Sequence, residues 1–184
     1  MSEKDSYLLA ITPPKDVSEK VDEYRKKYKK HTYFITPHIT IYPPFYIDSA
    51  NENDIISILI EKLKSIKSDE IIIDSLGYFE NGNDTNVAYF KPNDSAIIYL
   101  REIFSICSLA LRSHIHNKYE SHPSGFKPHM TISSDIPNDV FLNIKSELKN
   151  TKELFKFKVE SVDVYKQQGK SGIWNKIKEV DLKS

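Results

Sequence analysis

The chain has 184 residues, 39% of them apolar and 11% aromatic, enough for one sizeable domain or two small lobes sharing a core. Lys plus Arg and Asp plus Glu balance at 26 each, so no global field draws long nucleic acid and any phosphate recognition has to be local. A single cysteine, Cys107, excludes an internal disulfide and points to a reducing cytoplasm; the start MSEKDSYLLAITPP has no signal-peptide pattern, and the greasiest stretch, 96–111, is interrupted by Arg101 and Glu102 and too short to span a bilayer.

Residues 7–12, YLLAIT, predict a buried strand stopped by Pro13-Pro14. A charged helix follows over 16–30, with Val17, Val21, Tyr24 and Tyr28 on one side. Its YRKKYKK run is either a solvated face or a contact for RNA phosphates, the first reading weighing more. A strand around Pro37-His38-Ile39-Thr40-Ile41 comes next and is expected to end at Pro43-Pro44. An amphipathic helix over 51–67 and an Ile-rich strand over 70–79 lead to the turn Asn81-Gly82-Asn83-Asp84. The order then restarts with a strand over 86–91, a helix over 95–114 that carries Cys107 on its apolar face, and a polar loop through Gly125. A second motif strand, Pro128-His129-Met130-Thr131-Ile132, precedes a helix over 138–150. Two last strands, 154–167 and 173–182, are joined by a Gly169-Lys170-Ser171-Gly172 hairpin turn.

Strand, helix, motif strand, helix, strand thus occurs twice. The pattern predicts an α+β fold: a bilobal single domain over 1–184, with two mainly antiparallel β-sheets, outer helices, pseudo-twofold symmetry and a central cleft. The lobes are set at roughly 14–84 and 85–184, the N-terminal strand being free to join the second lobe's sheet. No Gly-rich phosphate loop supports a doubly wound nucleotide fold.

The two H-x-T copies lie half a chain length apart, and with only six His in the sequence two such phrases, each with Pro before and a branched residue after, are improbable by chance. In an extended strand residues i and i+2 share a face. Thr36, His38, Thr40 and Tyr42 therefore face one way, and Lys127, His129, Thr131 and Ser133 do the same in the second copy. One neutral imidazole can take a proton from water or a ribose hydroxyl while the other, protonated, delivers one to the departing oxygen. Thr40 and Thr131 can hydrogen-bond the non-bridging oxygens. With unperturbed imidazoles near pKa 6.5, the pair is expected to hold one shared proton near neutrality. Lys127 can neutralise phosphate charge, and Tyr33, Phe34, Tyr42, Phe45, Tyr46 and Phe126 are available to stack on a base, although most belong to a core. His114 and His116, two apart at a helix end, make a poor metal pair. His31 and His122 have no partner at a recognisable spacing.

Carried by these residues, the chain resembles the 2H phosphoesterase superfamily, which includes 2′-5′ RNA ligase and cyclic nucleotide phosphodiesterase-like proteins. The likeness spans nearly the whole sequence and is nearest to the small bacterial branch, through YRKKY, PHIT, NVAYFKP, PHMT and VYKQQGKSGIW. The resemblance implies His38 and His129 as acid and base, Thr40 and Thr131 as phosphate-oxygen ligands, and Tyr165 of the late strand as a pocket residue beside Tyr42 and Lys127. It implies a monomeric hydrolase of cyclic or 2′-5′ phosphodiesters in RNA ends or small nucleotides, with no metal ion or other cofactor. A 2′-5′ RNA ligase, or a nucleotide-binding module without turnover, is the alternative.

Overall fold

The computed structural model describes residues 5–28, 35–82, 84–117, 125–168 and 172–184. His31, Tyr33, Phe34 and His122, and most of the expected turn at 169–172, lie outside them.

Among the described residues four α-helices and nine strands follow one another along the chain: β1 (Ser6–Ile11), α1 (Lys15–Tyr28), β2 (Ile39–Tyr46), α2 (Glu52–Leu63), β3 (Asp69–Phe79), β4 (Asn86–Pro92), α3 (Asp94–Leu111), β5 (His116–Asn117), β6 (Met130–Ile136), α4 (Asn138–Leu148), β7 (Phe155–Val159), β8 (Ser161–Gln167) and β9 (Trp174–Asp181). Local chemistry sets several of these boundaries. The Asn93 side chain caps α3 by accepting from the Ala96 N–H at 2.9 Å, and α1 follows Pro13-Pro14 and ends in Arg25, Lys26 and Lys27, cations suited to the negative end of a helix.

The strands run in the order β7-β3-β4-β6-β2-β1-β8-β9, with β5 paired to β2, and all these ladders are antiparallel. The two expected sheets are present as four-stranded halves, but they join into one sheet at β2 and β6 through the pair Ile39↔Met130. The halves do not follow a cut near residue 84. In the first repeat the strand after the second helix crosses over, β3 pairing β4; in the second, β7 stays with the half of β4 and β6, and β8 crosses to pair β1. The two halves are therefore interleaved, and β2 and β3, both expected in the first lobe, sit on opposite sides of the junction.

Two strand boundaries differ from the expectation. Pro43-Pro44 does not end β2, which continues to Tyr46. The prolines fall where β2 changes register against β1, between Leu9↔Tyr42 and Tyr7↔Phe45, a bulge in which a missing N–H costs the ladder little. The single strand expected over 154–167 is two strands, β7 at one edge of the sheet and β8 between β1 and β9. Burial alternates along Phe155–Val159 and becomes continuous over Val162, Asp163, Val164 and Tyr165, as an edge strand and a central strand require.

One core joins all four helices to one face of the sheet, including Val21, Leu59, Leu100, Phe104, Cys107 and Phe141. Cys107 is fully buried there, and desolvation pushes its thiol up to about 12. A smaller cluster of Leu8, Ala10 and Tyr165, with Ile35 and Trp174 against it, lies apart from that core. No helix among the described residues is long and apolar enough to cross a membrane.

Candidate active site

Each histidine stands immediately before its strand. Pro37 and Pro128 have no N–H to give to a neighbour, so the ladders of β2 and β6 begin only at Ile39 and Met130. In both copies the imidazole Nδ1 lies 2.8 Å from the carbonyl oxygen two residues earlier, Thr36 for His38 and Lys127 for His129. A carbonyl can only accept, so Nδ1 carries the hydrogen and each neutral ring turns a bare Nε2 outward.

Ile39 and Met130 pair and are both fully buried on the helical side. Continuing that register by one residue each way sets His38 across from Thr131 and Thr40 across from His129, all four on the opposite face. In such an antiparallel pair the two histidines are diagonal neighbours, with backbones roughly 7–8 Å apart. The same rule carries outward through Tyr89↔Thr131 and Gly77↔Tyr89 on one side and Ala10↔Thr40 and Ala10↔Asp163 on the other.

Both rings are half-buried. Desolvation pushes His38 down to about 4, and the charges of Arg25 and His129 push the same way against its hydrogen bond to Thr36. Desolvation lowers His129 too. Its wall is aromatic: Phe79 meets the imidazole edge-on and Tyr89 lies tilted to it, each at 5.0 Å between ring centroids. Thus the unliganded pair is uncharged at neutral pH, where the sequence predicts a shared proton.

Arg25 links the two motifs from beneath. It is 3% exposed, its Nε donates to the Thr131 carbonyl at 3.1 Å, and a terminal nitrogen donates to the Ile35 carbonyl at 3.2 Å. The sequence reading placed it in the charged run of α1. However, Val17, Val21 and Arg25, spaced four apart, are the buried stripe of that helix, and this spacing is the signal that singles it out.

Tyr42 does not join the site. Ala10 pairs with Thr40 but Leu9 with Tyr42, so Ile41 is an inserted bulge residue that reverses the alternation. Tyr42 is turned into the core, 3% exposed, edge-on to Phe45 and stacked with Phe104. Phe45 is buried beside it, and Phe126 stacks on Phe104 at 4.6 Å. Tyr165 does face the cleft side with Leu8, but it too is 3% exposed, and its hydroxyl bonds to Thr12 at 2.7 Å. The Thr12 hydroxyl donates to the buried Asp163 carboxylate, so the tyrosine hydroxyl donates to Thr12. Lys176 lies 3.4 Å from the other Asp163 oxygen.

Lys127 is exposed, with its ammonium 5.8 Å from the Phe79 ring centre. It borders a cavity of about 460 Å³ next to His129, lined also by Phe79, Tyr89, Lys91, Arg101 and Phe126. Gly77 shapes its floor, since a Cβ there would run into the ring of Tyr89. Sequence reading missed Tyr89, Lys91 and Arg101, while a glycine inside a strand was a readable sign of close approach. His114 is exposed, and no three His, Cys, Asp or Glu side chains among the described residues are grouped to hold a metal ion.

Comparison with known proteins shows the family and the fold. The model of the 2′-5′ RNA ligase superfamily matches residues 13–171. The protein named "Putative phosphoesterase SERP0604" of Staphylococcus epidermidis is 30% identical over 141 residues, 77% of this chain and 78% of its own. A like-named protein of Staphylococcus aureus strain JH1 is 31% identical over 136 residues, 74% of this chain and 75% of its own. Among solved structures, E. coli LigT complexed with 3′-AMP superimposes with a TM-score of 0.70 at 15% identity over the whole of both chains. TT0787 of Thermus thermophilus gives 0.61 at 15% identity over 97% of this chain and 98% of its own. At such identities these structures speak for the fold.

Proposed function

Since the chain belongs to the 2′-5′ RNA ligase superfamily of 2H phosphoesterases, we propose that it hydrolyses a cyclic or 2′-5′ phosphodiester of an RNA end or small nucleotide by proton transfer between His38 and His129, without a metal ion. The observation that carries this reading is the register at Ile39↔Met130, whose continuation by one residue each way brings the two histidine–threonine couples side by side on one face of the sheet. The ligand named with E. coli LigT, 3′-AMP, is of the same chemical class as the products of such a reaction.

His38 is the base and His129 the acid. The positive charge of Arg25 opposes a proton on His38, so the first proton taken up goes to His129. His38 Nε2 removes a proton from water as the water oxygen bonds to phosphorus. The ester P–O bond then breaks and His129 Nε2–H protonates the departing ribose oxygen. Thr40 and Thr131 hydroxyls donate to the non-bridging oxygens as charge gathers on them. Each imidazole contributes roughly 10²- to 10⁴-fold.

Purified protein should be incubated with EDTA and 2′,3′-cyclic mononucleotides, ADP-ribose cyclic phosphate and 2′-5′ dinucleotides. Turnover of at least one that survives the chelator, and that falls by roughly 10²-fold or more in His38→Ala and in His129→Ala, is the expected result. Turnover only with added metal refutes the mechanism. Binding without turnover of any of them marks a receptor instead.

A further inference from the structure

The cavity beside His129 has a charge that the two-histidine chemistry does not use. Lys91, Arg101 and Lys127 converge on it from β4, α3 and the segment before β6, and no acidic residue is among the described residues that line it. Among the described residues neither Lys91, Arg101 nor Lys127 has an ion-pair partner, and Lys127 lies by the Phe79 ring. Continuing the pairs Tyr89↔Thr131 and Phe90↔Met130 sets Lys91 across from His129, on the cleft face. Lys91 therefore shares the face of the histidines, one step outward from His129, and Arg101 reaches the same cavity from α3.

The other side of the junction is different. There Lys176 is held by Asp163 and Glu179, and Lys166 by Asp5 and Glu52. Among the described residues, then, Lys166 and Lys176 are held by carboxylates, whereas Lys91, Arg101 and Lys127 are not. At about 460 Å³ the cavity falls within the usual 300–1,000 Å³ range of small-molecule sites, which is room for one further nucleotide-sized unit.

We propose that this cavity is a subsite for a second phosphate group, carried by the substrate beyond the phosphodiester held between His38 and His129. The proposal rests on the phosphoesterase reading and narrows it. The substrate class is then an oligonucleotide end or a nucleotide with an additional phosphate, in preference to a bare cyclic mononucleotide. Phe79 and Tyr89 line the cavity and touch the His129 ring, so an aromatic wall stands between the two phosphate positions.

The test is equilibrium binding of 2′-AMP and adenosine 2′,5′-bisphosphate to the full chain at one fixed, low ionic strength. The bisphosphate is expected to bind about tenfold more tightly or better, a preference that the Lys91→Gln/Arg101→Gln variant brings close to one and the Lys91→Arg/Arg101→Lys variant keeps. Both are exposed positions, and thermal melts establish that the variants fold. Equal affinity for the two ligands in the unaltered protein overturns the subsite, as does a preference that survives loss of both cations. Turnover of 2′,3′-cyclic mononucleotides, ADP-ribose cyclic phosphate and 2′-5′ dinucleotides, assayed in parallel, separates the two ideas: no preference with turnover retained refutes the subsite alone, and a preference without turnover of any of them refutes the hydrolase reading alone.

Discussion

Binding of an anion between the motifs should draw a proton from solution, and the amount follows from the two depressed histidines. With His38 near 4, roughly one molecule in a thousand carries a proton there at pH 7. His129 is lowered as well, so the free pair is essentially neutral. An anion about 4 Å from an imidazolium, at an effective dielectric constant near 20, favours the charged ring by about 4 kcal/mol, or about 3 pKa units. That offsets the depression by burial and returns one ring to titration near neutrality. Sulfate is the suitable probe because it does not itself titrate in this range. Calorimetric binding at pH 7 in two buffers of different ionisation enthalpy reads the number of protons exchanged. Uptake of about half a proton or more is expected, abolished in His38→Asn/His129→Asn, with His129→Asn reducing it more than His38→Asn. A binding enthalpy independent of buffer refutes the proton assignment, and failure of sulfate to bind refutes the anion site itself.

Arg25→Met removes the donor from the carbonyls of Thr131 and Ile35 and should cost about 2 kcal/mol or more in urea unfolding; with the opposing cation gone, the NMR titration of His38 should move up, and an unmoved titration refutes the electrostatic link. Gly77→Ala drives a methyl into the Tyr89 ring and should destabilise by about 1–3 kcal/mol and reduce turnover by displacing Tyr89 from His129; an unaltered melting temperature and rate refute the contact. A histidine lowered on folding binds its proton more readily in the unfolded chain, so His38 should reduce stability as pH falls from 6.5 toward 4. For a half-buried ring this is about 1–3 kcal/mol, read as the difference between the pH–stability curves of the unaltered protein and His38→Asn, and parallel curves refute it.

The parts of the structure legible in the sequence are those written in short windows. The H-x-T triplets span a single alternation, and the i, i+2 rule sets His38 beside Thr40 and His129 beside Thr131 without help from elsewhere in the chain. Helix stripes are equally local, although in α1 the sequence reads as an apolar side of Val17, Val21, Tyr24 and Tyr28, and the charge of the run around Arg25 hides the fourfold spacing that buries it with Val17 and Val21. What could not be read is which strand lies beside which. The crossing of β3 and β8 to the other half is a property of packing between segments, and for β8 the partner lies at the far end of the chain, as Leu8↔Tyr165 makes plain. No local pattern encodes it. The cationic cavity depends on the same long-range arrangement, since Lys91, Arg101 and Lys127 share nothing in sequence but their sign.

Ile41 is where the two kinds of information meet. By itself the alternation from Thr36 to Tyr42 puts four polar groups on one face, and the sequence offers no reason to stop at three. The bulge supplies one: β2 must turn from its contact with β6 at Ile39 toward β5 at Phe45 while staying paired with β1 along its length, and an inserted residue bends the strand and increases its twist. The alternation that serves the chemistry ends at Thr40. From Tyr42 onward the large aromatic side chain is assigned to the core beneath α3, where it meets Phe104. The site is therefore limited to the residues nearest the junction of the two halves, and the bulge lets one strand supply both the polar couple above the sheet and the aromatic anchor below it.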